Sequence, residues 1–215
     1  MTAELDGARA AVAACGRRLA EAGLVVGSAG NVSTRVGDRV AITPSGVPYH
    51  RIGAGDVCVL DLDGRHLDGP PRPSSETPLH LAVYAGTDAK AVVHHHGASS
   101  AAVSTVLEEL PPVHYAVTLL GGAPRVAEYA TFGTPELARA VLAALRDRTA
   151  ALMRNHGAVA HAGTLDAAYD RAHLVEWLCE VYERAVRLGT PRVLTDDELA
   201  DVVRRRAEGR GEGRA

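Results

Sequence analysis

The chain has 215 residues, 47% of them hydrophobic, a formal charge of -3, ten histidines, three cysteines and a single lysine, Lys90, against twenty-two arginines. Imine chemistry would therefore have to use Lys90, and Ala89 before it excludes a Walker A loop. The near-neutral charge argues against nucleic-acid or membrane-surface binding, and the length suits one domain spanning 1–215.

In chain order, residues 3–22 place Leu5, Ala8, Val12, Cys15, Leu19 and Ala22 at three- and four-residue steps before Gly23, which predicts an amphipathic helix with a glycine stop. Val32–Val36 and Val40–Thr43 flank Gly37-Asp38 and read as a hairpin, with Val57–Asp61 as a third strand before the turn-rich run Asp63–Pro73. Ser75 would cap a helix over 76–84, and Ala89–His96 reads as a buried strand ending in three histidines. A helix over 98–109 stops at Pro111-Pro112, and strands near 113–120 and 125–130 follow. Thr134-Pro135 opens a helix to about Arg146, and 150–161 reads as a hairpin turning at Asn155-His156-Gly157.

Leu165–Leu188 forms a long amphipathic helix ended by Gly189 and Pro191, and a short charged helix covers 196–207. The Arg-rich stretch 204–215 reads as a solvated, flexible tail. Strands and helices mix without a βαβ rhythm, which points to an α+β or α/β sandwich whose sheet is mixed and largely antiparallel. Cys15, Cys58 and Cys179 are scattered without a C-x-x-C pair, and no apolar run reaches roughly eighteen residues. A cytoplasmic protein that does not enter a membrane is expected.

Chemistry concentrates at strand ends and glycine loops. On a strand, residues two apart share a face, so His94 and His96 point together while His95 points away. Two imidazoles at a strand end are half of a zinc or iron site, and His156, beside Gly157 at another strand end, is the best third ligand. In Pro73-Ser74-Ser75-Glu76-Thr77, hydroxyls and free N–H groups suit a phosphate, while Glu76 reads as a metal ligand, a general base or a helix cap. The loops Gly27-Ser28-Ala29-Gly30-Asn31 and Thr43-Pro44-Ser45-Gly46 look built for an anion, with ordinary turn chemistry as the alternative.

Together, the segments Gly27–Arg35, Ile42–Tyr49, Pro73–Glu76, Ala91–His96, His114-Tyr115 with Gly121-Gly122, Tyr129–Thr134 and His156-Gly157 make the chain recognisable. It resembles the class II aldolase/adducin family, and within it the L-fuculose-1-phosphate aldolases. The resemblance implies a three-layer sandwich, one Zn2+ per subunit held by His94, His96 and His156, and Glu76 as both metal ligand and acid/base. It also implies phosphate contacts at Asn31, Ser45, Gly46, Ser74 and Ser75 with Thr43 close by, and pocket positions at Gly30 and Phe132. Tyr115 matches a tyrosine that reaches the neighbouring subunit's site and moves a proton at the aldehyde oxygen, within a cyclic homotetramer.

The implied reaction is retro-aldol cleavage of a small sugar phosphate, L-fuculose 1-phosphate or a related ketose 1-phosphate. Methylthioribulose-1-phosphate dehydratases use a similar three-histidine site and stand as the alternative. Pentulose-phosphate 4-epimerases carry Asp where this chain has Glu76, and a non-enzymatic adducin-like scaffold has no need of the full ligand set. Aldolases of this group often place a tyrosine in the C-terminal tail, whereas no tyrosine follows Tyr182 here.

Overall fold

A computed structural model describes residues 3–212. Eight strands form one sheet: β1 (Asn31–Val36), β2 (Arg39–Ile42), β3 (Cys58–Asp61), β4 (His66–Asp68), β5 (Ala91–His95), β6 (Val126–Ala127), β7 (Ala150–Met153) and β8 (Gly157–Ala162). Their spatial order is β4-β3-β2-β1-β5-β8-β7-β6, and every pairing is antiparallel except β6 with β7. Helices α1 (Ala3–Glu21), α3 (Ala98–Ser104) and α5 (Leu165–Leu188) cover one face, and α2 (Thr77–Gly86) and α4 (Pro135–Ala144) cover the other. The three-layer sandwich with a mixed, largely antiparallel sheet is thus as expected.

Strand alternation divides the core cleanly. On β5, Ala91 and Val93 join the cluster under α1 and α5, while Val92 joins the cluster under α2 and α4. Ala158, Ala160 and Ala162 of β8 are small on the α5 side, where Ala168, Ala172, Val175 and Leu178 of that helix pack against the same cluster. The three cysteines are free and buried, and burial pushes Cys15 up to about 12 and Cys58 up to about 11, so they act as small apolar side chains. No described helix is long and apolar enough to cross a membrane.

Several boundaries differ from the sequence reading, each for a local reason. The stretch 113–120 is not a strand but a 3-10 helix over Tyr115–Leu120, started by His114 Nδ1 accepting the Ala116 N–H (3.1 Å) and ended by left-handed Gly121. Its apolar alternation imitates a strand, yet burial falls on the adjacent pair Ala116 and Val117 and on Leu120, a helical rather than an alternating pattern. The strand near 125–130 shrinks to Val126–Ala127. Helix α3 ends at Ser104 rather than near 109, because the Ser104 and Thr105 hydroxyls bond back to the carbonyls of Ala101 and Ala102.

The turn-rich run hides the edge strand β4. At α2 the cap position is Glu76 rather than Ser75, and the Ser74 hydroxyl accepts the Glu76 N–H at 3.2 Å. Helix α6 (Asp196–Glu212) continues through most of the stretch expected to be a flexible tail, and positions 213–215 lie outside the described residues.

Candidate active site

β5 and the residue just after it deliver His94 and His96, the first two candidate ligands, from the middle of the sheet. His94 is fully buried, and its Nδ1–H donates to the Ala158 carbonyl (2.9 Å), which turns Nε2 toward Glu76 and His96. That Nε2 lies 2.9 Å from His96 Nε2 and 3.1 Å from Glu76 Oε2. The β7–β8 turn adds His156, whose Nε2 is 3.6 Å from Glu76 Oε1, with Asn155 before it in the left-handed region at φ 55°. The ligand atoms of Glu76, His94, His96 and His156 all lie within 4.8 Å of one another. His95 turns to the other face, where its Nδ1 accepts the Gly97 N–H.

This donor set fits a metal ion. Glu76 Oε1 is buried without a hydrogen-bond partner among the described residues, and the Nε2 atoms of His94 and His156 face the two oxygens of this carboxylate. Burial, reinforced by charge at His94, pushes His96 down to about 3 and His156 down to about 4, so both are neutral donors. Burial favours a neutral Glu76, yet the charge and hydrogen bond of His94, then His156 and Asn31, outweigh it and hold the carboxyl well below its usual range.

Two glycines let the elements approach. A Cβ on Gly30 would sit 2.7 Å from the His94 carbonyl oxygen, and Gly30 has a φ of +83°. A Cβ on Gly157 would fall inside contact with the His95 carbonyl.

The cluster opens into a cavity of about 440 Å³ lined by both anion-loop candidates, including Gly30, Ser45 and Gly46, and by Ser74 and Ser75. Among the described residues no lysine or arginine lines it, so an anion there would meet hydroxyls and backbone N–H groups. Tyr129 and Phe132 line the same cavity while remaining 64% and 61% exposed, which puts two aromatic rings at its mouth.

Two expected positions differ. Thr43 lies behind the pocket wall: it is fully buried, and its hydroxyl accepts from the Val32 N–H and meets Tyr49 Oη, both at 3.1 Å. It shapes the Thr43–Gly46 loop rather than facing an anion. Asn31 lines the cavity, but its amide is committed to Glu76 on one side and to His80 on the other.

Tyr115 is not at the cavity of its own chain. It lies on the 3-10 helix, 49% exposed, stacked on His114 at 4.4 Å with the Arg206 guanidinium 5.7 Å from its ring. Arg206 also donates to the Thr118 hydroxyl at 2.6 Å, so the Arg-rich end of α6 packs against the segment that carries Tyr115.

Residues 10–182 match the family of the class II aldolase and adducin N-terminal domain. The chain belongs to that family. Among its relatives, the L-fuculose phosphate aldolase of Escherichia coli (strain K12) is 41% identical over 184 residues, covering 84% of this chain and 85% of that one. The 5-deoxy-D-ribulose 1-phosphate aldolase of Bacillus thuringiensis serovar kurstaki is 35% identical over 200 residues, covering 92% and 94%. A solved L-fuculose 1-phosphate aldolase superposes with a TM-score of 0.87 at 34% identity, covering 93% of this chain and 94% of that chain.

Sequence reading overlooked His80, which is fully buried and bridges Asn31 to Ser33. Its four-residue spacing from both Glu76 and Tyr84 was the available signal. Burial, with the charge at His94 second, pushes His80 down to about 3, and burial does the same to His95. A histidine neutral in the fold but titrating near 6.5 when unfolded contributes fully above that pH and loses its contribution as pH falls toward the folded value. Each should therefore cost about 1.4 kcal/mol per pH unit below roughly 6.5. The denaturant midpoint is expected to fall steadily from pH 7 to pH 5, and less steeply in His80→Gln; equal slopes would refute His80's share.

Proposed function

We propose that this chain is a zinc-dependent aldolase. It would cleave L-fuculose 1-phosphate or a related deoxyketose 1-phosphate to dihydroxyacetone phosphate and an aldehyde. The observation that carries the reading is the convergence of three imidazole nitrogens and a buried, unpartnered carboxylate oxygen beside a cavity lined by hydroxyls and glycine loops. Kinship to sugar-phosphate aldolases supports it.

His94, His96 and His156 would hold the cation through Nε2, with Glu76 as a further oxygen donor; three imidazoles and a carboxylate suit zinc. When bound, the ion supplies Lewis-acid stabilisation of the negative charge that develops on the ketose oxygens. Ser45, Ser74 and Ser75, with the backbone at Gly46, would fix the phosphate and hold the C3–C4 bond in register with the acid/base groups. As that bond breaks, Tyr115, as the phenolate, would take the proton of the C4 hydroxyl; Glu76 would then pass to C3 a proton that it takes up from water, and Tyr115 would return its own to water. Net, one proton moves from the C4 oxygen to C3, and no oxidant or reductant is consumed.

Tyr115 would have to come from a neighbouring copy, since it does not line its own cavity, and this is in keeping with sites between the subunits of a homotetramer. Phe132 and Tyr129 would form the apolar wall met by the aldehyde half. That wall favours substrates with a deoxy or otherwise apolar terminus.

Chelator-treated protein is expected to lose turnover, and added zinc to restore it; full activity without metal overturns the reading. A panel of ketose 1-phosphates should yield dihydroxyacetone phosphate. A dehydrated diketone product would instead mark a dehydratase.

A further inference from the structure

Glu76, His80 and Tyr84 follow one another at four-residue steps along α2 and its cap, while Asn31 and Ser33 stand two apart on one face of β1. Four helical residues rise about 6 Å and two strand residues about 6.6 Å, so the two rows can interleave rung by rung. All five side chains are buried, with His80 and Ser33 fully so. Their contacts form one line: Tyr84 Oη to Ser33 Oγ 2.6 Å, Ser33 Oγ to His80 Nδ1 2.6 Å, His80 Nε2 to Asn31 Oδ1 2.5 Å, and Asn31 Nδ2 to Glu76 Oε2 2.8 Å.

Each proton in that line has one allowed place. A carboxylate only accepts, so Asn31 must offer its NH2 to Oε2 and keep its carbonyl for His80. His80 then carries its proton on Nε2, which makes Nδ1 an acceptor for the Ser33 hydroxyl. Ser33, having donated, accepts from Tyr84. All donors therefore point from the core toward one oxygen of Glu76, and the other oxygen, 3.6 Å from His156 Nε2, has no hydrogen-bond partner.

We propose that His80 is a positioning residue: backed by Ser33 and Tyr84, it locks the Asn31 amide onto Oε2 of Glu76 and so fixes the carboxylate with Oε2 beside His94 and Oε1 turned to His156. Apolar side chains of similar volume would fill this space without desolvating five polar groups, so the line makes sense through the carboxylate at its end. The effect on turnover rests on the aldolase reading; the polarity of the line does not.

The test uses the zinc-loaded full chain. Long-range 15N–1H spectra, with His80 assigned by its absence in His80→Gln, should show the Nε2–H tautomer; Nδ1–H reverses the line and overturns the proposal. His80→Phe should lower kcat by about 10–100-fold with KM little changed, the usual range for a group that orients a metal-site ligand. His80→Gln should recover most of the loss, because its amide can still donate to Asn31.

An unchanged kcat in His80→Phe, or equal losses in both variants, overturns the inference. Tyr84→Phe, which removes only the terminal donor, should give a smaller loss of the same kind if His80→Phe does not fold. Should the wild-type chain cleave no ketose 1-phosphate, the aldolase reading fails alone. Zinc affinity by chelator competition then decides the relay: weakened about tenfold in His80→Phe and restored in His80→Gln supports it, and equal affinities refute it.

Discussion

Replacing Glu76 by glutamine is expected to cut turnover by about 10²–10⁴-fold while zinc remains bound, the range over which a positioned acid/base group contributes. The change preserves volume in a side chain that is 5% exposed, so the wall around it need not move. The carboxamide oxygen can still accept from Asn31 Nδ2, which holds the side chain in its present rotamer. What is lost is the capacity to take up and release a proton, and a carboxamide has none near neutral pH. His94, His96 and His156 keep their lone pairs, so metal content should fall far less than in His156→Ala. Steady-state kinetics with zinc content by mass spectrometry separates the two effects. Turnover within a few-fold of wild type would remove Glu76 from the proton step.

Gly157→Ala is expected to destabilise the fold and empty the site together. The new methyl group would enter contact with the His95 carbonyl oxygen and come within 3.2 Å of the His95 carbonyl carbon and the His96 Cα, all of them backbone atoms of the ligand-bearing segment. No flexible side chain is available to yield, so β5 and β8 must part where His95 pairs with Ala158. Overpacking of this kind costs roughly 1–3 kcal/mol or more. In a chain this long, that lowers Tm by roughly 2–12 °C. Since His96 and His156 flank the point of separation, zinc affinity should fall as well. Gly163→Ala is the control: nothing lies within 4 Å of its added methyl group, and Tm should stay near wild type. Equal behaviour of the two variants would show that β5 and β8 tolerate separation.

The histidine cluster was legible because strand alternation is a strict rule: once Ala91–His95 is a strand, His94 and His95 must diverge and His96 must rejoin His94. His156, the third candidate ligand, was legible only as a histidine beside a turn glycine, and its meeting with β5 depends on β8 lying next to that strand. Thr43 misled because a loop hydroxyl facing a pocket and one facing Tyr49 look alike in sequence; burial decides between them. His80 escaped notice because its importance lies in the registration of α2 on β1, which no single segment encodes. Tyr115 was assigned by resemblance to a catalytic role, and its own chain holds it at a distance from Glu76, stacked between His114 and Arg206.

The sheet order bears on how the molecule breathes. β5 has four strands on one side and three on the other, so fraying of the edge strands β4 or β6 leaves it paired on both flanks. Its amides should exchange with solvent only through near-global opening, whereas the exposed Ser45–Gly46 turn can open locally at little cost. The histidine end of the cavity would then be its slowest-exchanging part and the loop end its most compliant.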